Sequence, residues 1–316
     1  LYALRHHTNP EPLFPSWAAN TDWYDAVTRK AAMMQHNLSI SGANKNGKIY
    51  VGFGYLKQNG IVIHNYAQRY NVRMNAELNL FKGHLKIGEN FGYNRHSDLR
   101  LSTRYRPYPL FSEILRMQPI VPVYVKEEIV GMSHTFMPGE YGGSDISWTL
   151  GNGSNVVAHQ IRNKEDEYDY HYYTGNVYVE INILDGLSLK SSYGLNAYKG
   201  NILDFDFRSY ENSWSLGSIS RAFEDDTKSK IATWSNTVNF DKSFGNHSLQ
   251  ALLGYEELEV TPEEYVNAEY RGEFDNKEEY QQNELIRTFY ADFKSSAFPQ
   301  KSFFGSLKYG LLHRYY

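Results

Sequence analysis

With 316 residues, a formal net charge of -4 and no cysteine, the chain can form one large domain but no disulfide and no cysteine-held metal site. Neither sign of charge gathers into a stripe, which excludes the electrostatic footprint of a nucleic-acid partner. Aromatic residues make up 16% of the chain and tyrosines number 27, a usage that favours β-structure. No run approaches the ~18 apolar residues of a membrane-crossing helix, a test that strands of alternating polarity escape.

The chain begins at Leu1 without an initiator methionine or leader, and stops at Tyr316 without a turn or cap, so it reads as a portion of something longer. Residues 1–36 carry Pro10, Pro12 and Pro15 and read as a surface loop segment leading into strands, with a short helix possible over Asp25 to Met34. Alternation starts at His36, where Leu38 and Ile40 oppose polar neighbours, and Asn46 and Gly47 supply a turn. Ile49, Val51, Phe53 and Tyr55 then share a face, with Gly52 and Gly54 on the other, where something packs closely.

The clearest stretch is Tyr70 to Leu80. Tyr70, Val72, Met74, Ala76, Leu78 and Leu80 fall on one face of an extended chain, and Asn71, Arg73, Asn75, Glu77 and Asn79 on the other. At helical spacing the same apolar residues would be smeared around the circumference. Strands of soluble proteins run to about 5–6 residues, whereas a tilted strand needs about 9–11 to cross a bilayer. Arg73 and Glu77 suit a wet barrel lumen better than a packed core, although a long strand of a soluble sandwich has the same pattern.

Leu85 to Tyr93 returns, with Glu89 among Leu85, Ile87, Phe91 and Tyr93 on the apolar face. An acid there is costly, which predicts either a bulge or a neighbouring protein at Glu89. About 95–172 shows little alternation and holds five prolines, reading as a long functional loop. Tyr173 to Ile183 and Leu187 to Asn196 form a hairpin, and about 198–231 reads as irregular. Trp234 to Asp241 and His247 to Tyr255 form the next hairpin, followed by a charged loop to about 283. Arg287 to Phe293 and Phe303 to Leu311 make a final pair across Ser295 to Lys301. Short and long connections alternate throughout, as in outer-membrane barrels, where turns at one end are short and loops at the other long.

No catalytic motif is present: neither a nucleophile elbow, nor a His-Glu-x-x-His pair, nor a phosphate-cradling glycine loop. His6 and His7 read as a solvated end. The acidic runs Glu165 to His171 and Glu224 to Asp226 lack the spacing of a calcium loop and read as solvated loop charge. No cofactor is expected. Tyr141, Trp148, Tyr168, Tyr170 and Trp214 stand in the long loops as candidate substrate-stacking residues.

His36 to Gly42, Gly54 to Ile61 and Arg69 to Arg73 resemble the SusC/RagA family of TonB-dependent outer-membrane transporters of Bacteroidetes. Asn20 to Trp23, Pro119 to Tyr124, Gly186 to Ser192, Trp234 to Phe240 and Phe303 to Gly305 resemble it in the same order. The resemblance implies an all-β fold, with 37–316 forming about ten antiparallel strands of a barrel of roughly 22, and a plug domain lying outside this chain. It further implies a transporter and not an enzyme, in the cell outer membrane among its lipids. Such a transporter would import oligosaccharides or peptides with a SusD-like surface lipoprotein and with TonB acting through the plug. A TonB-dependent siderophore or cobalamin receptor, and a secreted β-rich binding or adhesion protein, are the alternatives.

Overall fold

A computed structural model of the chain describes residues 14–101, 109–212, 219–311 and 314–315. Its frame is one antiparallel sheet built from β1 (Met33–Asn44), β2 (Gly47–Asn59), β3 (Tyr66–Leu80), β4 (Leu85–Leu99), β7 (Glu167–Leu184), β8 (Leu187–Asp206), β9 (Ser220–Phe244), β10 (His247–Gly272), β11 (Ile286–Lys294), β12 (Gln300–Leu311) and β13 (Arg314–Tyr315). The intervening β5 (Ile129–Val130) and β6 (Thr135–Phe136) form a separate small hairpin. No helix among the described residues is long and apolar enough to cross a membrane.

The final hairpin expected across Ser295 to Lys301 does not exist. β11 and β12 both pair with β10, β11 along Glu264–Arg271 and β12 along His247–Leu258, so they are one line of strand interrupted at 295–299. The eleven strands therefore occupy nine full positions across the wall and begin a tenth. The break lies opposite a register shift between Thr261 and Glu264, at Pro262, which has no N–H to give a ladder.

Connections at one end are tight: residues 45–46, 81–84, 185–186 and 245–246, with Gly186 and Gly245 at positive φ. At the other end they are 60–65, 100–166, 207–219 and 273–285. The strands run farther toward this second end than their alternation reveals. β8 has 20 residues, β9 has 25 and β10 has 26, so the stretches read as irregular or as charged loop after Asn196 and Tyr255 are largely ladder. Glu224 to Asp226 sits inside β9, and Glu167 to His171 inside β7, not in loops.

One face carries Val72, Met74, Leu78, Phe91, Ile87, Val177, Val179, Ile181, Leu189 and Val238; the other carries asparagine, serine, threonine, glycine, lysine and glutamate. Asn75, Asn90 and Asn176 stand opposite one another across three strands of this polar face. Its glycines accommodate rings. A Cβ on Gly88 would lie 2.2 Å from the Tyr178 ring, and one on Gly254 2.2 Å from that of Phe304. Gly52 lies against the Tyr50 hydroxyl and Gly54 against the Asn71 amide, the close packing expected there. No bulge occurs at Glu89, whose register with Ala76 and Val177 is unbroken.

A row of aromatics crosses the apolar face: Tyr55, Tyr70, Tyr93, Tyr173, Tyr193, Trp234, Tyr255 and Phe303, one per strand from β2 to β12. Neighbouring rings touch, with centroids 5.0 Å apart for Tyr55–Tyr70 and Tyr93–Tyr173 and 5.1 Å for Tyr255–Phe303. Followed through the register, the row never climbs. It steps toward the short-turn end between β3 and β4, between β7 and β8, and between β9 and β10. A descent of about eight residues over about seven strand spacings corresponds to strands leaning roughly 40° from the perpendicular to the row.

Residues 109–166 fold into a cap over the long-loop end. It holds α2 (Leu110–Arg116) and α3 (Val156–Arg162), with β5 and β6. The preceding segment is no mere surface connection. Its helix, α1 (Trp23–Val27), is shorter and earlier than expected, and β1 has begun by Met33. Trp23 and Val27 are buried in one apolar cluster with Val62, Ile114, Met117, Val121, Phe136, Val156 and Val157. The Trp23 indole N–H donates to Gln118 O at 3.1 Å. A second cluster joins Phe205, Phe207 and Ala222 to Phe274 and to Tyr280 of α4 (Lys277–Gln282).

Candidate functional site

Two groups of aromatic side chains stand at the long-loop end. The first lies on the polar face of the wall. Tyr168, Tyr170 and Tyr172 alternate along β7, and Tyr198 stands opposite Tyr172 on β8. Tyr170 stacks with Tyr198 at 6.3 Å and with His96 at 6.2 Å, while Tyr172 meets Tyr198 at 5.0 Å. Arg100 lays its guanidinium 4.5 Å from the centre of the Tyr168 ring, donates to the Tyr170 hydroxyl and pairs with Asp98 at 3.1 Å. Toward the short turns the ladder continues into a trough of amides and hydroxyls, including Asn71, Asn90, Asn94, Thr174 and Asn196, over Gly92 and Gly194. Ion pairs on this face join Lys48 to Glu77 at 3.3 Å and Lys86 to Glu180 at 3.4 Å.

The second group is in the cap. Tyr124 and Tyr141 meet at 5.0 Å through an isolated bridge, and His134 stacks on Tyr210 at 4.4 Å. The Arg162 guanidinium faces both Tyr141 (5.4 Å) and Tyr210 (5.8 Å) and pairs with Glu211 at 2.7 Å, where Glu211 is fully buried. Burial alone would lower the Arg162 pKa, but Glu211 outweighs it and the group is held above its ordinary value. Burial likewise pushes Tyr141 and Tyr210 up to about 12, so both hydroxyls stay neutral hydrogen-bonding groups at physiological pH. Glu140 accepts from the Met137 N–H at 2.8 Å and lies 2.9 Å from His134 Nε2, and Asp145 accepts from the Ser133 and His134 N–H groups. These bonds fix the loop that carries the rings. The result is a neutral, partly exposed aromatic surface on a rigid base.

Of the five candidates named from sequence, Tyr141 belongs to the cap group and Tyr170 to the wall ladder. Tyr168 is buried under Arg100 with little surface left to offer a ligand. Trp148 is 81% exposed, apart from both groups. Trp214 lies outside the described residues. Sequence reading missed Tyr124, His134, Tyr210, Tyr172, Tyr198 and Arg100. For Tyr172 and Tyr198 a signal existed, since alternation carried past the strand ends at Tyr173 and Asn196 puts them on the polar face. For the cap residues none did, because a folded loop has no period. Among the described residues no three histidine, aspartate or glutamate side chains converge as metal ligands.

No family model matches the chain. Among curated proteins it is 26% identical over 313 residues to the TonB-dependent receptor SusC of Bacteroides thetaiotaomicron, covering 94% of this chain and 29% of that one. It is 24% identical over 250 residues to the TonB-dependent receptor P3 of Formosa agariphila, covering 78% of this chain and 23% of that protein. Among solved structures it is similar to the RagAB peptide importer in its open-open state, with TM-score 0.69, 19% identity, and coverage of 96% of this chain and 32% of that one. The chain thus spans less than a third of the length of each of these relatives. In sequence and in fold the chain is thus similar to TonB-dependent receptors of the SusC/RagA type.

Proposed function

We propose that the receptor to which this chain belongs imports oligosaccharides or peptides across the outer membrane, with a SusD-like lipoprotein closing over the long-loop end and TonB acting through a plug domain. The observation that carries this reading is the chemistry of the polar wall. Amides and hydroxyls alternate with tyrosine faces from Asn75 and Asn90 up to Tyr172, Tyr198 and Tyr170. Such a surface offers stacking and neutral hydrogen bonds, which suit sugar rings and peptide groups alike. The tilted apolar band with its aromatic row supports the membrane setting, since barrel strands lean about 35–45° and carry such girdles.

The test is uptake by the whole receptor carrying Tyr170→Ser, Tyr172→Ser and Tyr198→Ser together. Losing rings worth about 0.5–1.5 kcal/mol each should weaken cargo binding by roughly tenfold or more and slow uptake, while insertion in the membrane is unchanged. Uptake at the wild-type rate across sugar and peptide cargoes would remove the ladder from the transport path. Co-purification of a surface lipoprotein with the detergent-extracted receptor tests the partner, and its absence would count against the lid.

A further inference from the structure

On the polar face, one cross-strand row runs through Gly52, Arg73, Gly92, Thr174 and Asn196 on β2, β3, β4, β7 and β8. Glycine on both sides leaves the Arg73 side chain without a direct cross-strand neighbour, and it is exposed. Its neighbours along β3 on this face are Asn71 and Asn75, and its diagonal neighbours are Tyr50, Gly54, Asn90 and Asn94, all neutral. Among the described residues Arg73 makes no hydrogen bond or ion pair. The carboxylates of this face are distant and held by other groups. Glu77 lies four residues along β3, about 13 Å away. It pairs with Lys48 at 3.3 Å and accepts from the Tyr178 hydroxyl at 2.8 Å. Farther off, Asp98 on β4 pairs with Arg100 at 3.1 Å, and Glu180 on β7 with Lys86 at 3.4 Å. Arg69, the next charge outward on β3, has the same sign. Arg73 lines the trough of amides and hydroxyls below the tyrosine ladder, about 650 Å³ in volume. Among the described residues lining that trough, Arg73 alone carries a charge.

We infer that Arg73 binds a carboxylate carried by the cargo, while a neighbouring unit of that cargo stacks on Tyr172 and Tyr198. The inference rests on the transport reading above and narrows it to acidic cargo. A guanidinium presents parallel N–H donors that match the two oxygens of a carboxylate, a pairing that a neutral sugar or amide cannot reproduce. No acid lines the trough to compete for the donors or to repel an anion. Thr174 and Asn196 stand two and three strands from Arg73, about 10 and 14 Å. Tyr172 and Tyr198 stand one row farther out on the same two strands. The floor between the guanidinium and those rings is Gly92, whose missing side chain leaves the approach clear.

The experiment offers the whole receptor, extracted in mild detergent at low salt, two pools of probes. One holds acidic oligosaccharides from a hydrolysed polyuronate, the other acidic peptides from a protein digest. Each pool is offered again with its carboxyls methyl-esterified, and retention is read by native mass spectrometry. The wild type should hold free-acid members of one pool about tenfold more tightly than the same members esterified, and added salt should shrink that preference. The pool that shows the preference distinguishes a uronate from an acidic peptide. Arg73→Gln should bring the ratio to about one, and Arg73→Lys should keep part of it. A wild-type ratio near one overturns the inference, as it would if Arg73 met a carboxylate of the receptor's own plug. A preference that survives Arg73→Gln overturns it equally. Should the glutamine variant fail to insert, the wild-type ratio still decides. A wild type that holds neither pool in either form would instead overturn the transport reading, so the two failures are separable.

Discussion

At the scale of single residues, Arg162 and Glu211 form a pair whose carboxylate is fully buried. It joins α3 of the cap to the loop after β8, with the carboxylate fully buried and Tyr141 and Tyr210 flanking the guanidinium. Removing one member of a buried pair leaves the other charged and unsolvated, at a cost of about 3–5 kcal/mol. Glu211→Ala should therefore loosen the cap, seen as faster amide exchange across 109–162 with exchange in β3, β4 and β7 unchanged. Pairing it with Arg162→Met should recover most of that protection. If the single change leaves exchange in the cap untouched, the pair does not hold the cap to the wall. The same change should disorganise the Tyr141–Tyr210 surface, because the guanidinium is the part between the two rings.

At the scale of elements, the cap is tied to the short 60–65 connection, where His64 titrates. Burial, then Lys164 and Arg29, hold the His64 pKa below its ordinary value. A histidine lowered in the closed state is protonated more readily once the cap opens. Closure is thus unaffected above about pH 6.5 and weakens as pH falls from there toward the closed-state pKa. Cap amides should exchange relatively faster at about pH 5.5 than at about pH 7.5 after correction for intrinsic rates, and His64→Gln should flatten the difference. What was legible in the sequence follows the same division by element. Tyr70 to Leu80 could be read because one face is apolar and the other polar, giving a period of two. Above the aromatic row both faces carry polar side chains, so Lys199 to Asp206 and Glu256 to Gly272 lose the period while keeping the ladder. The acidic run at 165–171 looked like a loop because charge masked the alternation of Tyr168 and Tyr170 with Asp169 and His171. Trp23 and Val27 could not be placed at all, since their partners Val121 and Val156 lie far along the chain in a segment with no period.

At the scale of the whole molecule, the aromatic row and the short turns bound an apolar band, and Glu89 stands near its middle. It lies four residues from Tyr93 toward the short turn and four from Leu85, between Ala76 and Val177, with no hydrogen bond or ion pair among the described residues. A bulge would have turned it to the wet side, but the register is continuous. If the band faces lipid, the carboxyl is a net cost of under about 2–4 kcal/mol, the range measured for basic residues at mid-bilayer and an upper bound for an acid. Glu89→Leu should then raise the denaturant midpoint of the whole receptor in lipid vesicles, with unchanged denaturant dependence. A nitroxide on a lipid tail should quench a fluorophore at Val177 strongly and one at Asn201 weakly, because the tilt carries Asn201 well outside the band. Strong quenching at Val177 with a lowered midpoint for Glu89→Leu would instead mean that the carboxyl meets a polar group of a neighbouring protein within the membrane. Equal quenching at both sites would remove the band from the bilayer and with it the proposed orientation of the wall.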